Sequence, residues 1–164
     1  MLAPPEVPIT PAQLQSLPSD VVELLEDGDF SGVFRKAMYD LEKDHREFFA
    51  GEHTPDGTPW LPLAESTIRR KGHDTILRDT GRLNRSLTSG GLTSDGESVR
   101  EIVDEGPNKG FSFGTSVPYG IIHQEGAPVG KIPRREFLGF TEERIDQIEQ
   151  DLLDRAEELF LGGQ

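Results

Sequence analysis

A row of apolar side chains at helical spacing constrains this chain more than any other feature. Phe34, Ala37, Met38, Leu41, His45 and Phe48 recur every three or four residues, so they share one face of an α-helix. Arg35, Lys36, Glu42, Lys43 and Glu47 fall mainly on the other face. Asp29 or Ser31 suits the N-terminal cap, and Gly51 the stop. Such a helix has to lie against a sheet or a partner. A second helix of this kind comes last. Thr141 caps it, Glu142 and Glu143 suit the positive end of its dipole, and Ile145, Ile148, Leu152, Ala156 and Leu159 form its stripe before Gly162 and Gly163.

Between them the texture changes. His53 to Pro62 holds three Pro and one Gly around Trp60, which reads as a loop with an anchored aromatic. Leu63 to Lys71 and Asp79 to Leu87 each read as a short helix. From Leu87 to Val117 come Gly, Ser and Thr with the strand formers Leu92, Val99, Ile102, Val103, Phe111, Phe113 and Val117. This predicts two or three antiparallel strands, with turns near Asp95-Gly96 and Gly106-Pro107-Asn108. Helices and strands are segregated along the chain, so the expected fold class is α+β, an antiparallel sheet packed with the two long helices. Upstream, residues 1–9 read as an extended arm. Thr10-Pro11-Ala12-Gln13 opens a short helix that Pro18 ends, and another runs from about Ser19 to Glu26. The expected division is an N-terminal arm with short helices over 1–28, an α+β domain over 29–140 and an acidic helix over 141–164.

Composition narrows the function. The 164 residues carry 17 Lys+Arg against 30 Asp+Glu, a net charge of -13, with no Cys. That excludes disulfide and thiolate chemistry and opposes general binding to DNA, RNA or anionic lipid. No apolar run approaches the roughly 20 residues of a membrane span, so the chain is expected to be soluble and intracellular. The charge is unevenly placed: net -6 over residues 1–50, net 0 over 51–100, and net -7 over 101–164. Within the neutral third, Arg69, Arg70, Lys71, Arg78, Arg82 and Arg85 face only Asp74 and Asp79. This is either a solvated face pairing with the acidic ends of its own chain, or a surface that meets an acidic arm of another copy.

Catalytic signatures are missing. His45, His53, His73 and His123 form no HExxH or HxH pair, and no calcium loop occurs. GxxxxGK[ST], GxGxxG and GxSxG are absent, and Ser86, Ser89 and Ser112 have no activating His nearby. No catalytic residue, metal ligand or cofactor is assigned.

Two constellations stand out instead. In Thr54-Pro55-Asp56-Gly57-Thr58-Pro59-Trp60-Leu61-Pro62-Leu63, a tight Asp-Gly turn between prolines presents the lone Trp, either to cap the local core or to anchor a neighbouring subunit. In Tyr119-Gly120-Ile121-Ile122-His123-Gln124-Glu125-Gly126, apolar residues anchor an irregular turn while His123 and Gln124 hydrogen-bond to backbone. There, too, His123 reads more readily as structural than as a base. Lys131-Ile132-Pro133-Arg134-Arg135-Glu136-Phe137-Leu138-Gly139 follows, with arginines beside an aromatic as at protein interfaces.

These blocks carry a resemblance. PDGTPW, then Thr67 and Lys71, then ILRDTGRLNRS, FGTSVPYGIIHQEG and IPRREFLG, in that order over about residues 30–140, resemble the phage virion morphogenesis family, the tail-completion proteins of contractile-tailed phages and prophages. One departure is Glu125, where related sequences often carry a hydrophobic residue. The resemblance implies a non-enzymatic virion protein at the neck or head-proximal end of the tail, made in the host cytoplasm. It further implies a homo-oligomeric ring, a hexamer, joining connector and tail-terminator proteins around a channel that DNA traverses without specific binding. The expected contact residues are Trp60, Arg69, Arg70, Tyr119, His123, Gln124, Arg134, Arg135 and Phe137. Two other classes stand beside it: an acidic DNA mimic inhibiting a host nuclease, and a metal-dependent hydrolase using His123 with Asp or Glu.

Overall fold

The computed structural model describes residues 26–90, 96–106, 108–129 and 131–162. The expected arm and helices before Glu26, and the turn residue Asp95, lie outside the described residues. The apolar row does form a helix, α1 (Ser31–Gly51), which buries Phe34, Ala37, Leu41, His45 and Phe48 together with Phe49. Fully burying side chains of this size contributes roughly 1.5–3 kcal/mol each. Neither Asp29 nor Ser31 is the cap: Phe30 holds the N-cap position without a side-chain cap bond, and Asp29, one residue before it, accepts the Ser31 N–H through Oδ1 at 2.9 Å. Two further expectations need correction here. Glu42, placed on the polar face, turns inward at 6% exposure and pairs with Arg46 one turn on. Gly51 does not stop the helix; it is the last helical residue, and Glu52 makes the left-handed turn at φ 55°. Gly51 is needed for room, since a Cβ there would lie 2.5 Å from the His53 ring.

The sheet is a hairpin of β1 (Ser98–Glu105) and β2 (Asn108–Thr115), antiparallel, with Glu105 opposite Asn108. The strands thus end on either side of the expected turn, with Gly106 at φ 53°, while Pro107 lies outside the described residues. Opposed residues share a face, so Arg100 lies with Phe113 and Ile102 with Phe111. That face meets α1: Phe111 lies 6.0 Å from Phe34 and Phe113 lies 4.9 Å from His45, ring to ring. Arg100 stacks 3.8 Å above Phe113 and donates to the Leu87 carbonyl at 3.0 Å, so its charge is hydrogen-bonded inside the apolar layer.

The short helices follow: α2 (Glu65–Lys71), α3 (Arg82–Thr88) and α4 (Gly120–Glu125). The last replaces the irregular turn expected at 119–126, because Tyr119 and the residues after it adopt helical backbone from Gly120 onward. Leu41, Phe49, Trp60, Ile76, Leu83, Leu87, Phe113, Val117 and Phe137 form one core between α1, α3, the hairpin and the loops. Finally α5 (Glu142–Gly162) starts at Thr141, whose Oγ1 accepts the Arg144 N–H at 3.0 Å, and lies along α1. Arg144 grips Asp44 with two hydrogen bonds of 2.8 and 2.9 Å, and Lys36 reaches Asp151 at 2.6 Å. The class is α+β, helices around a two-stranded antiparallel sheet. No helix among the described residues is long and apolar enough to cross a membrane.

Candidate interface: a cationic cleft

On α2, Thr67, Arg70 and Lys71 stand three and four residues apart, so they share a face. That face forms one wall of a cleft of about 440 Å³. The segment 77–83 forms a second wall, with Leu77 held at φ 54°. Tyr119, at the N-cap of α4, and His123, in its last turn, also line it, and Arg135 comes from the loop beyond. The lining mixes apolar side chains, Leu63, Leu77, Leu83 and the Tyr119 ring, with the cations Arg70, Lys71, Arg78, Arg82 and Arg135, and Asp79 is its one carboxylate.

The cations differ in how they are held. Arg82 pairs with Glu97, Nε to Oε2 at 2.7 Å. Lys71 donates to the Thr75 carbonyl at 2.7 Å. Arg135 donates to the Leu61 and Pro62 carbonyls at 2.8 and 3.0 Å, which ties the cleft's far wall to the entry of α2. Among the described residues, Arg70, Lys71, Arg78 and Arg135 have no carboxylate in ion-pair range. Arg78 Nε and His123 Nδ1 are buried without a hydrogen-bond partner. Burial lowers the pKa of Lys71, with Arg70 adding to the shift, and it lowers that of Arg135. His123 is lowered first by burial, then by Arg135 and Lys71. Every resolved shift in the cleft disfavours positive charge, with burial the largest cause each time and Asp79 opposing it at Lys71.

The other expected contact residues go elsewhere. Trp60 and Phe137 are 5% and 1% exposed and serve this chain's own core: Trp60 packs edge-on to Phe49 at 5.5 Å and donates Nε1–H to the Glu136 carbonyl at 2.9 Å. Gln124 bonds to backbone as expected, and does so three times. Its Oε1 accepts from Phe137 N–H and Leu138 N–H at 3.0 and 3.1 Å, and its Nε2 donates to the Leu138 carbonyl at 2.8 Å. Arg69 and Arg134 are exposed outside the cleft, paired with Glu65 at 3.4 Å and Glu136 at 2.5 Å. Of the expected residues, therefore, the cleft gathers Arg70, Tyr119, His123 and Arg135. Sequence reasoning saw Lys71, Arg78 and Arg82 as part of a charged stretch without assigning them a contact. The helical spacing from Thr67 to Lys71 was the available signal, since it separates Arg70 and Lys71 from Arg69.

His123 has cations, not carboxylates, as its charged neighbours, an environment that repels a metal ion. Among the described residues, no group of three or more His, Asp or Glu is placed to hold one. What the cleft can do chemically is take an anionic group that also carries apolar surface.

Comparison with known proteins agrees with the resemblance. The chain is 28% identical over 125 residues to the tail completion protein S of Escherichia phage P2, covering 71% of this chain and 77% of that protein. No solved structure matches it. A profile of the phage virion morphogenesis family matches residues 12–157, nearly the whole sequence. The chain belongs to the phage virion morphogenesis family.

Proposed function

We propose that this chain is a structural virion subunit that completes the tail and joins it to the head. Copies close into a sixfold ring at the neck or head-proximal end of the tail, beside connector and tail-terminator proteins. Ring closure uses heterologous contacts, one patch of each subunit against a different patch of the next. The carrying observation is the similarity to a tail completion protein over most of both chains. The cleft supports the contact mode: a chain of net charge -13 in which four cleft cations have no carboxylate partner among the described residues offers two unlike patches that can meet. The remaining acidic surface faces the channel and repels the passing DNA.

In phage lysates lacking this chain, full-length tails and filled heads are expected to accumulate unjoined, and adding the purified protein restores joining. Joining at the normal rate without it overturns the reading. Native mass spectrometry tests the ring separately: the expected mass is six times 18.2 kDa.

A further inference from the structure

We propose that the cleft of one subunit receives the outer face of α5 of a second copy, with Leu153 against the cleft's apolar side chains and Glu149 and Glu157 against its cations. This contact rests on the ring reading above and names the two surfaces that would close it.

The argument is one of matched chemistry. Glu149, Leu153 and Glu157 follow one another at four-residue spacing, so they run along one side of α5. All three are exposed, Leu153 at 65%, and neither Glu has an ion pair among the described residues. The row is a carboxylate, an apolar side chain and a carboxylate. The cleft offers the complement, apolar side chains lining it together with Arg70, Lys71 and Arg78, and with Arg135 buried in the lining. Bringing carboxylates to guanidinium groups that lack them replaces repulsion among like charges with charge-assisted hydrogen bonds. The cleft is built by α2, α3 and α4 and the loops around them, whereas α5 lies along α1. The two patches therefore sit on different elements, as a head-to-tail contact requires. A nucleic-acid backbone offers phosphates but no aliphatic group for the cleft's leucines, and the acidic chain repels it.

The sequence has no Cys, which makes a clean test. Full-length Thr67→Cys, from the cleft wall, and full-length Leu153→Cys are purified separately, mixed and oxidised. The expected product is a mixed disulfide-linked dimer, formed about tenfold more than with Arg35→Cys in place of Thr67→Cys, since a disulfide needs Cα atoms within about 7 Å. Charge reversal at Arg70 and Arg78 to Glu should cut the yield about tenfold, and Glu149→Arg with Glu157→Arg on the other partner should restore it. Equal yield with the Arg35 control overturns the contact. Hexamers in native mass spectrometry without the 67–153 link overturn the contact and leave the ring. A protein that stays monomeric and unlinked, alone and on tails, overturns both. Loss of the link on adding a short DNA duplex that binds the cleft makes it a nucleic-acid site and also overturns the contact.

Discussion

Helices α1 and α5 are both 21 residues long and both carry apolar residues every three or four positions, yet α1 buries seven side chains and α5 buries none. The difference lies in what the rows are made of and what faces them. The α1 row is rich in Phe and meets the hairpin, α3 and the Trp60 loop at once. The α5 row is aliphatic and meets mainly α1, so Ile145, Ile148, Leu152, Ala156 and Leu159 end half-buried. Ion pairs from Lys36, Asp40 and Asp44 then fix its position. Periodicity reports that a face exists; the depth to which it sinks depends on how many elements converge on it.

The comparison can be broken first at Phe49, which is fully buried against Trp60 and Phe137. Phe49→Ala should cost about 3–5 kcal/mol in urea unfolding, and a loss under 1 kcal/mol would mean that α1 is not the core helix.

Next comes pH. Burial lowers the His45 pKa from 6.5 to about 4, although its Nδ1 is hydrogen-bonded to the Leu41 carbonyl at 2.6 Å. The fold therefore holds His45 neutral. Its contribution to stability is full above pH 6.5 and is lost as pH falls through 4, a span worth about 3 kcal/mol. His45→Gln should flatten the stability profile between pH 7 and 4 relative to the native chain, with the carboxylates titrating alike in both. Parallel profiles would refute a buried neutral His45.

On α5 the effects should be smaller. Arg144→Ala removes the two bonds to Asp44 and the contact with Asp40, all partly shielded from water. A loss of about 1–2 kcal/mol is expected, partly recoverable in a double-mutant cycle with Asp44→Ala. Leu152→Ala should cost about 1 kcal/mol, since half-burial realises about half the transfer energy. If Leu152→Ala matched Phe49→Ala, α5 would belong to the core and its outer face would have another explanation.

The sequence made some of this legible and hid the rest for identifiable reasons. Both long helices, the Thr141 cap and the end of β1 before Gly106 follow from local chemistry, so spacing and residue type sufficed. Glu42 belongs by its charge to the polar face, and its burial depends on the loop at Gly90 coming close, which no local pattern states. Trp60 was correctly read as an anchor, but whether its ring meets its own core or a neighbour depends on where Glu136 arrives, 76 residues later. The cleft was half legible. Arg70 and Arg135 lie 65 residues apart in sequence, and charge alone does not say which cations end on one wall.

The bonds that Arg135 makes to Leu61 and Pro62 join positions separated by 74 and 73 residues. The far wall is thus absent from a nascent or partly unfolded chain, and it comes into being only when the tertiary structure closes. Under the proposed contact, a second copy therefore meets this wall only on a subunit whose residues 61–62 and 135 have already come together.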